Sequence, residues 1–250
     1  MVRRGILAVA ILLPLAAAPA PAGNGEPAGQ MSDAVLLDRG YIPLVDSASL
    51  GAWDLKPWHK GHWTVRDGVI EYDGRAEHSQ SEKNSLWTKR AYANLKLYAE
   101  WRLPAEPRMK PQPIVLFNGD FLLNENGRRV TRPGLDAGDS GILFRGTSKC
   151  QANIWCQALG SGEINGYRTD RNMPPEVRRD SMPIKKADRP FGEWNAFRIT
   201  LDGDRMTIEL NGERVIDAAR LPDLPRSGPI GLQHHGDPVE FRRLWVKELD

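Results

Sequence analysis

The stretch from Trp194 to Gly236 constrains the fold most, because apolar residues recur there at every second position and tight turns interrupt them. Phe197, Ile199 and Leu201 alternate with other residues, and after Asp202-Gly203-Asp204 the pattern resumes at Met206, Ile208 and Leu210. Asn211-Gly212 supplies another tight turn before Val215 and Ile216. The stretch closes on Gly228-Pro229-Ile230-Gly231-Leu232-Gln233-His234-His235-Gly236. Side chains on a strand point alternately to opposite faces, so period-two runs joined by such turns specify antiparallel strands. The Gln-His-His cluster sits where only a packed strand end is expected, and it marks a candidate site. On an extended chain Gln233 and His235 share one face while His234 takes the other.

The same grammar runs through the chain from Tyr41 onward. Residues 63–66 and 69–72 flank Asp67-Gly68, a two-residue hairpin signal of type I′ chemistry. Leu95, Leu97, Ala99 and Trp101 alternate with Lys96, Tyr98, Glu100 and Arg102, which predicts a strand with one buried face. Ile142 and Phe144 alternate with Leu143 and Arg145, and a final strand is predicted over 239–249. No window sustains a helical period beyond about two turns. Many short strands at regular spacing imply one all-β domain, a sandwich or barrel. Two stretches break the rhythm: a Pro-rich, charged one over 104–138, with a small hairpin at Asn126-Gly127, and a Pro-rich, basic one over 168–190. The second reads either as a solvated rim or as a cleft wall attracting anionic ligand groups.

At the N-terminus Arg3 and Arg4 precede an apolar run from Ile6 to Ala18, followed by Ala-Pro-Ala sites. This is the pattern of a secretory signal peptide, and the run is shorter than the ~20 residues of a membrane-spanning helix. Residues 1–22 are read as the signal, 23–40 as a flexible segment and 41–250 as the domain, with no integral membrane segment after cleavage. Export to the periplasm or beyond follows as an expectation. The formal charge of +2 gives no bulk electrostatic reason to expect nucleic acid. Cys150 and Cys156 flank a predicted strand, and six extended residues span about 20 Å. A disulfide needs Cα atoms roughly 4.4–6.8 Å apart, so buried free thiols are expected. The 8 tryptophans suit sandwich cores and sugar-stacking surfaces alike, and most are assigned to the core.

These landmarks, taken in order, resemble the 3-keto-disaccharide hydrolase domain family. The residues that carry the resemblance are Trp53-Asp54, Tyr72-Asp73-Gly74, Leu86-Trp87-Thr88, Asp139-Ser140-Gly141-Ile142-Leu143-Phe144-Arg145-Gly146, Gly162-Glu163-Ile164-Asn165-Gly166-Tyr167, Trp194-Asn195, Asn211-Gly212 and the closing Gly228 to Gly236 segment. The resemblance implies a concanavalin A-like, laminin-G-like jelly-roll β-sandwich and a carbohydrate substrate. It also implies cleavage of glycosides whose glucose unit carries a ketone at C3. Such a ketone acidifies the C2 hydrogen, so a side-chain base can remove it. The enediolate then needs positive charge or hydrogen-bond donors, and a general acid assists departure of the C1 substituent. One departure stands out: many members carry Glu-x-Gln where this chain reads Gln151-Ala152-Asn153, so no carboxylate is carried over to that strand.

Glu163, in a Gly-rich segment, and His235 are the candidates for acid–base work, histidine because its ordinary pKa of about 6.5 suits proton abstraction near neutrality. Arg145 and Lys83 are the cationic candidates. Arg145 is read as facing away from Ile142 and Phe144 onto a concave surface, or else as paired with Glu100. Asn153, Gln157, Tyr167, Gln233 and His234 suit hydroxyl recognition, and Trp155 suits stacking on a sugar face. His78 reads as a solvent-exposed loop residue. No H-E-x-x-H, EF-hand loop or metal-binding Cys/His spacing is present and no cofactor is identified. Asp136, Asp139 and the histidines are the side chains from which a divalent-metal site could be assembled across strands. A lectin-like, non-catalytic module is the competing reading, since the jelly roll hosts many binding functions. A conventional endoglucanase is disfavoured because no strand carries the alternating E-x-D-x-x-E carboxylates of retaining chemistry.

Overall fold

The computed structural model describes residues 29–46, 48–75 and 82–250, so the signal-like stretch and His78 lie outside the described residues. The strands are β1 (Ile42–Pro43), β2 (Trp63–Arg66), β3 (Val69–Asp73), β4 (Leu86–Tyr92), β5 (Leu95–Arg102), β6 (Arg108–Pro113), β7 (Thr131–Asp136), β8 (Asp139–Phe144), β9 (Thr147–Trp155), β10 (Asn195–Asp202), β11 (Arg205–Leu210), β12 (Glu213–Arg220), β13 (Gly228–Leu232) and β14 (Pro238–Glu248). They form a large antiparallel sheet in the order β12-β11-β10-β5-β14-β3-β2, with β1 also on β14, and a four-stranded sheet in the order β4-β13-β8-β9. β6 and β7 make a separate ribbon. The inner faces of the two sheets supply one continuous core, including Ile142, Phe144, Ala152 and Ile154 from the small sheet and Leu97, Phe197, Ile199 and Phe241 from the large one. This is the expected jelly-roll sandwich.

The turns obey the local chemistry. Asp67 and Gly68 both adopt positive φ (50° and 75°), as do Asn211 and Gly212 (54° and 87°), the type I′ requirement whose twist matches the flanking strands. Asn211 also ties the turn to its surroundings. Its Oδ1 accepts from Ala196 N (2.9 Å), and its Nδ2 donates to Asn195 Oδ1 (2.8 Å).

Three expectations need correction. Residues 31–40 are not a flexible lead-in: α1 (Asp33–Asp38), capped by Ser32, lays the fully buried Leu36 against Tyr41, Tyr98, Ala196 and Trp245. That cover explains the second correction, since β5 is buried on both faces, with Tyr98 and Glu100 each 0% exposed. Glu100 is neutralised by two successive arginines. A bulge in β14, where Arg243 has φ 48°, brings Arg242 Nε within 2.6 Å of Glu100 Oε2 and Arg243 Nη1 within 2.7 Å of Oε1. The third concerns the basic stretch over 168–190, which is not simply a solvated rim: two short helices, α2 (Asn165–Thr169) and α3 (Pro175–Asp180), bury Arg168 and Arg178. Cys150 and Cys156 are free thiols as expected, although only Cys150 is fully buried. The hairpin around Asn126-Gly127 forms, with Leu123 bridging Arg129.

A candidate active site on the outer face of the small sheet

Because Ile142, Phe144, Cys150, Ala152 and Ile154 point into the core, alternation turns Asp139, Gly141, Gln151, Asn153 and Trp155 to the opposite face. Two glycines keep this face low. A Cβ on Gly141 would stand 2.3 Å from Gln151 Nε2, and one on Gly231 would stand 2.7 Å from the Trp87 ring. Both side chains therefore lie flat across bare backbone. Gln151 Nε2 donates to Gln233 Oε1 (2.7 Å) and to Asn153 Oδ1 (2.9 Å). The chain then returns beside β9, where Asn153 N donates to Glu163 O (2.9 Å) and brings Glu163 onto the same face. Trp87, Gln233, Gln151, Asn153 and Glu163 thus form one polar row across the sheet.

Two carboxyl groups sit in this row under different conditions. Glu163 is 0% exposed and ion-paired with Arg168, itself 1% exposed. Its Oε2 has no hydrogen-bond partner among the described residues. Burial raises the Glu163 pKa, and Arg168 and the Asn153 amide oppose that rise. Asp139, at the start of β8, keeps 31% of its side chain open. Its pKa is nevertheless pushed well above the usual carboxylate range, first by burial and then by the negative charges of Glu163, Asp237 and Asp136, with Lys110 opposing. A reachable carboxyl whose pKa is raised in this way is better suited to donating a proton than an ordinary one. His235, 50% exposed, holds Nδ1 3.8 Å from Asp139 Oδ2.

The sequence model of the 3-keto-alpha-glucoside-1,2-lyase-like domain matches residues 40–247. The chain belongs to this family. Membership makes it a member of a carbohydrate-active family. Two solved structures, each of a "putative glycosyl hydrolase" from Parabacteroides distasonis, share the fold. One is 21% identical, with 84% of this chain and 84% of that chain covered at a TM-score of 0.52. The other is 16% identical, with 89% and 100% covered at 0.53. No curated protein matches the chain. No helix among the described residues is long and apolar enough to cross a membrane.

Within this family domain, the structure gathers Glu163, His235, Asn153, Gln233 and Trp155 at one face, and it leaves other candidates elsewhere. Arg145 does not face a concave surface, and it does not pair with Glu100. It is a turn residue between β8 and β9 with φ 53°, and its guanidinium donates to Ala93 O (3.2 Å), Pro225 O (2.8 Å) and Asn94 Oδ1 (3.2 Å). Tyr167 is a core residue, 1% exposed, whose hydroxyl donates to Pro222 O. Lys83 is exposed on the short helical turn before β4, and Gln157 lies near Pro113 and Arg132 at a separate small cavity. Trp155 also lines a neighbouring cavity of about 290 Å³ with Trp101, Phe191 and Asn195; its indole N–H is satisfied by Gly160 O (2.8 Å), and the Arg168 guanidinium is 5.8 Å from its ring centre. Asp136 pairs with Lys110 (3.1 Å), and no group of three or more His, Cys, Asp or Glu side chains among the described residues is arranged to hold a metal ion. In the sequence Asp139 is legible as a landmark of the family resemblance and as a possible metal ligand, not as an acid. Its raised pKa comes first from burial and then from Glu163 and Asp237, which no local pattern connects to it.

His234 takes the face opposite His235, as alternation requires, although β13 ends at Leu232. The Tyr72 hydroxyl donates to Arg75 O (2.7 Å), so its bond with His234 Nδ1 must be donated by the imidazole. Burial holds the His234 pKa below its ordinary value. The folded state therefore resists protonation that the unfolded chain accepts at about pH 6.5. This contribution to stability is present above that pH and is lost as pH falls toward the lower folded pKa. Between pH 7.5 and 5.5 the denaturation midpoint of the unsubstituted protein should fall relative to that of His234→Gln, whose other titrating groups are the same. His59, also buried with a lowered pKa, contributes in the same direction. An unchanged slope in the variant would remove His234 from this role.

Proposed function

We propose that the protein cleaves 3-keto-glycosides by elimination across C1 and C2, with His235 as base and Asp139 as general acid. The observation that carries this reading is the partly open Asp139 carboxyl with His235 Nδ1 3.8 Å from its Oδ2, and burial and then neighbouring negative charge push that carboxyl's pKa up. The C2 hydrogen and the glycosidic oxygen are on neighbouring carbons, so an acid and a base this close suit the two proton transfers. His235 takes the C2 proton, and electron density moves onto the C3 oxygen. Gln233 Nε2, whose contact with Gln151 Oε1 is a long 3.4 Å, supplies a donor to that oxygen. The enediolate collapses, the C1–O bond breaks, and Asp139 protonates the departing oxygen. Water adds to the unsaturated sugar to give the free 3-keto sugar, and the proton on His235 restores Asp139. Glu163 is a positioning residue: wholly buried, it raises the Asp139 pKa from behind. Lys83, exposed at the rim, is proposed as a substrate cation contact. The charged-then-apolar N-terminus adds export to this proposal, placing the reaction in the periplasm or outside the cell.

The test uses the chain lacking residues 1–22 with a 3-keto-disaccharide, its unoxidised parent and a C2-deuterated 3-keto analogue. The expected result is release of sugar from the ketone alone, a primary isotope effect, and a 10²–10⁴-fold loss in His235→Ala. Equal cleavage of ketone and parent, or tight binding of both without turnover, would overturn the reading. The second outcome favours the lectin-like alternative.

A further inference from the structure

Behind Glu163, on the other side of Arg168, lies a cavity of about 410 Å³ whose lining includes Arg129, Arg168, Arg171, Arg178, Asp120 and Phe121. Four guanidiniums face one carboxylate there, and Glu163 answers Arg168 from the opposite side. Asp120 holds Arg178 (2.7 Å) and lies 3.8 Å from Arg171. Arg129 and Arg168 both stack on Phe121, at 4.0 and 4.6 Å from its ring centre. Two positive charges are left without a counter-charge inside the pocket.

The donors are also incompletely used. Arg168 and Arg178 are 1% and 8% exposed, which for arginine requires partners. Arg168 spends Nε on Glu163 and Nη1 on Gly119 O (2.9 Å). Arg178 spends Nε on Arg168 O (2.9 Å) and Nη2 on Asp120 (2.7 Å). Arg168 Nη2 and Arg178 Nη1 have no hydrogen-bond partner among the described residues, and neither is sealed within protein. Both donors are therefore open to an oxyanion, which planar guanidinium forks bind by charge-assisted hydrogen bonds.

We propose that this pocket is an anion subsite, taking the carboxylate or sulfate group of an acidic saccharide. The oxyanion half of the proposal stands on the pocket alone. The saccharide half rests on the function proposed above, because Arg168 links the pocket directly to Glu163 on the polar row. Asp120 then acts as a competitor that keeps the arginines apart when no ligand is present.

Titration of the full chain by calorimetry or NMR with glucuronate, a glucose sulfate, inorganic sulfate and neutral glucose tests it. Glucuronate or the sulfated sugar should bind at least tenfold more tightly than glucose, with affinity falling as salt rises. Arg129→Ala and Arg171→Ala, both at exposed positions, should each weaken the acidic sugar roughly fivefold while leaving the fold intact. Asp120→Asn should tighten it, which a purely structural role for these arginines does not predict. Equal binding of charged and neutral sugars, or unchanged affinity in both alanine variants, overturns the proposal. Binding of inorganic sulfate with no preference for either acidic sugar overturns its saccharide half. None of these sugars carries a 3-keto group, so absence of cleavage and absence of anion binding are separate results.

Discussion

Asp139→Asn is expected to abolish cleavage and, at the same time, to raise the melting temperature. The amide is nearly isosteric but cannot deliver a proton, so loss of a positioned general acid should lower the rate 10²–10⁴-fold. The stability effect follows from the raised pKa. Below the unfolded pKa of about 3.9 the carboxyl is protonated in both states and nothing is lost. As pH rises, the unfolded chain releases this proton while the folded site, crowded by burial and by Glu163, Asp237 and Asp136, retains it. Stability therefore declines from about pH 4 up to the folded pKa, and asparagine removes that decline. The gain should be small near pH 4 and grow toward neutrality, at about 2–4 °C per kcal/mol recovered for a chain of this size. Calorimetric scans at several pH values, alongside the rate measurement, read both halves. A variant that is inactive but not stabilised at pH 7 would show that Asp139 is ionised at rest, and it would not then be the acid.

Arg168→Met should be the most destabilising single substitution in the site region. It leaves the Glu163 carboxylate fully buried with only the Asn153 amide beside it, and breaking a buried pair from one side costs about 3–5 kcal/mol. For this size of domain that is roughly 10 °C. The double variant Glu163→Gln/Arg168→Met should recover most of the loss, since it removes the stranded charge as well. Glu163→Gln alone should shift the falling limb of the pH–rate profile to lower pH, because one of the negative charges that raises the Asp139 pKa is gone. Chemical denaturation of the three variants gives the coupling directly. Additive losses would mean the ion pair is not a unit, and an unmoved pH profile would separate Glu163 from the chemistry.

Much of the architecture was legible in the sequence because β-structure is encoded locally. Asp67-Gly68 and Asn211-Gly212 adopt the positive φ angles their chemistry predicts. The alternation that separates His235 from His234 holds beyond the last residue of β13. Arg145 misled for an equally local reason: Arg145-Gly146 is itself a tight turn with both φ angles positive, and continuing the strand through it assigned a facing that the arginine does not have. Tyr98 and Glu100 misled differently. Their period-two pattern is sound, but α1 comes from outside the sheet to cover them, and strand periodicity carries no information about a distant segment.

Neighbours and ordered landmarks along the chain were enough to give most of the strands, the tight turns, the family and the division of the Gln-His-His cluster between two faces. The closed fold, by contrast, fixed the surroundings that shift proton affinities. It set Asp139 against Glu163 and Asp237, gave Glu163 a buried arginine, and occupied Arg145 with backbone carbonyls. Charge state depends on burial and on distances between groups far apart in the chain, and those exist only once the sheets have closed on one another.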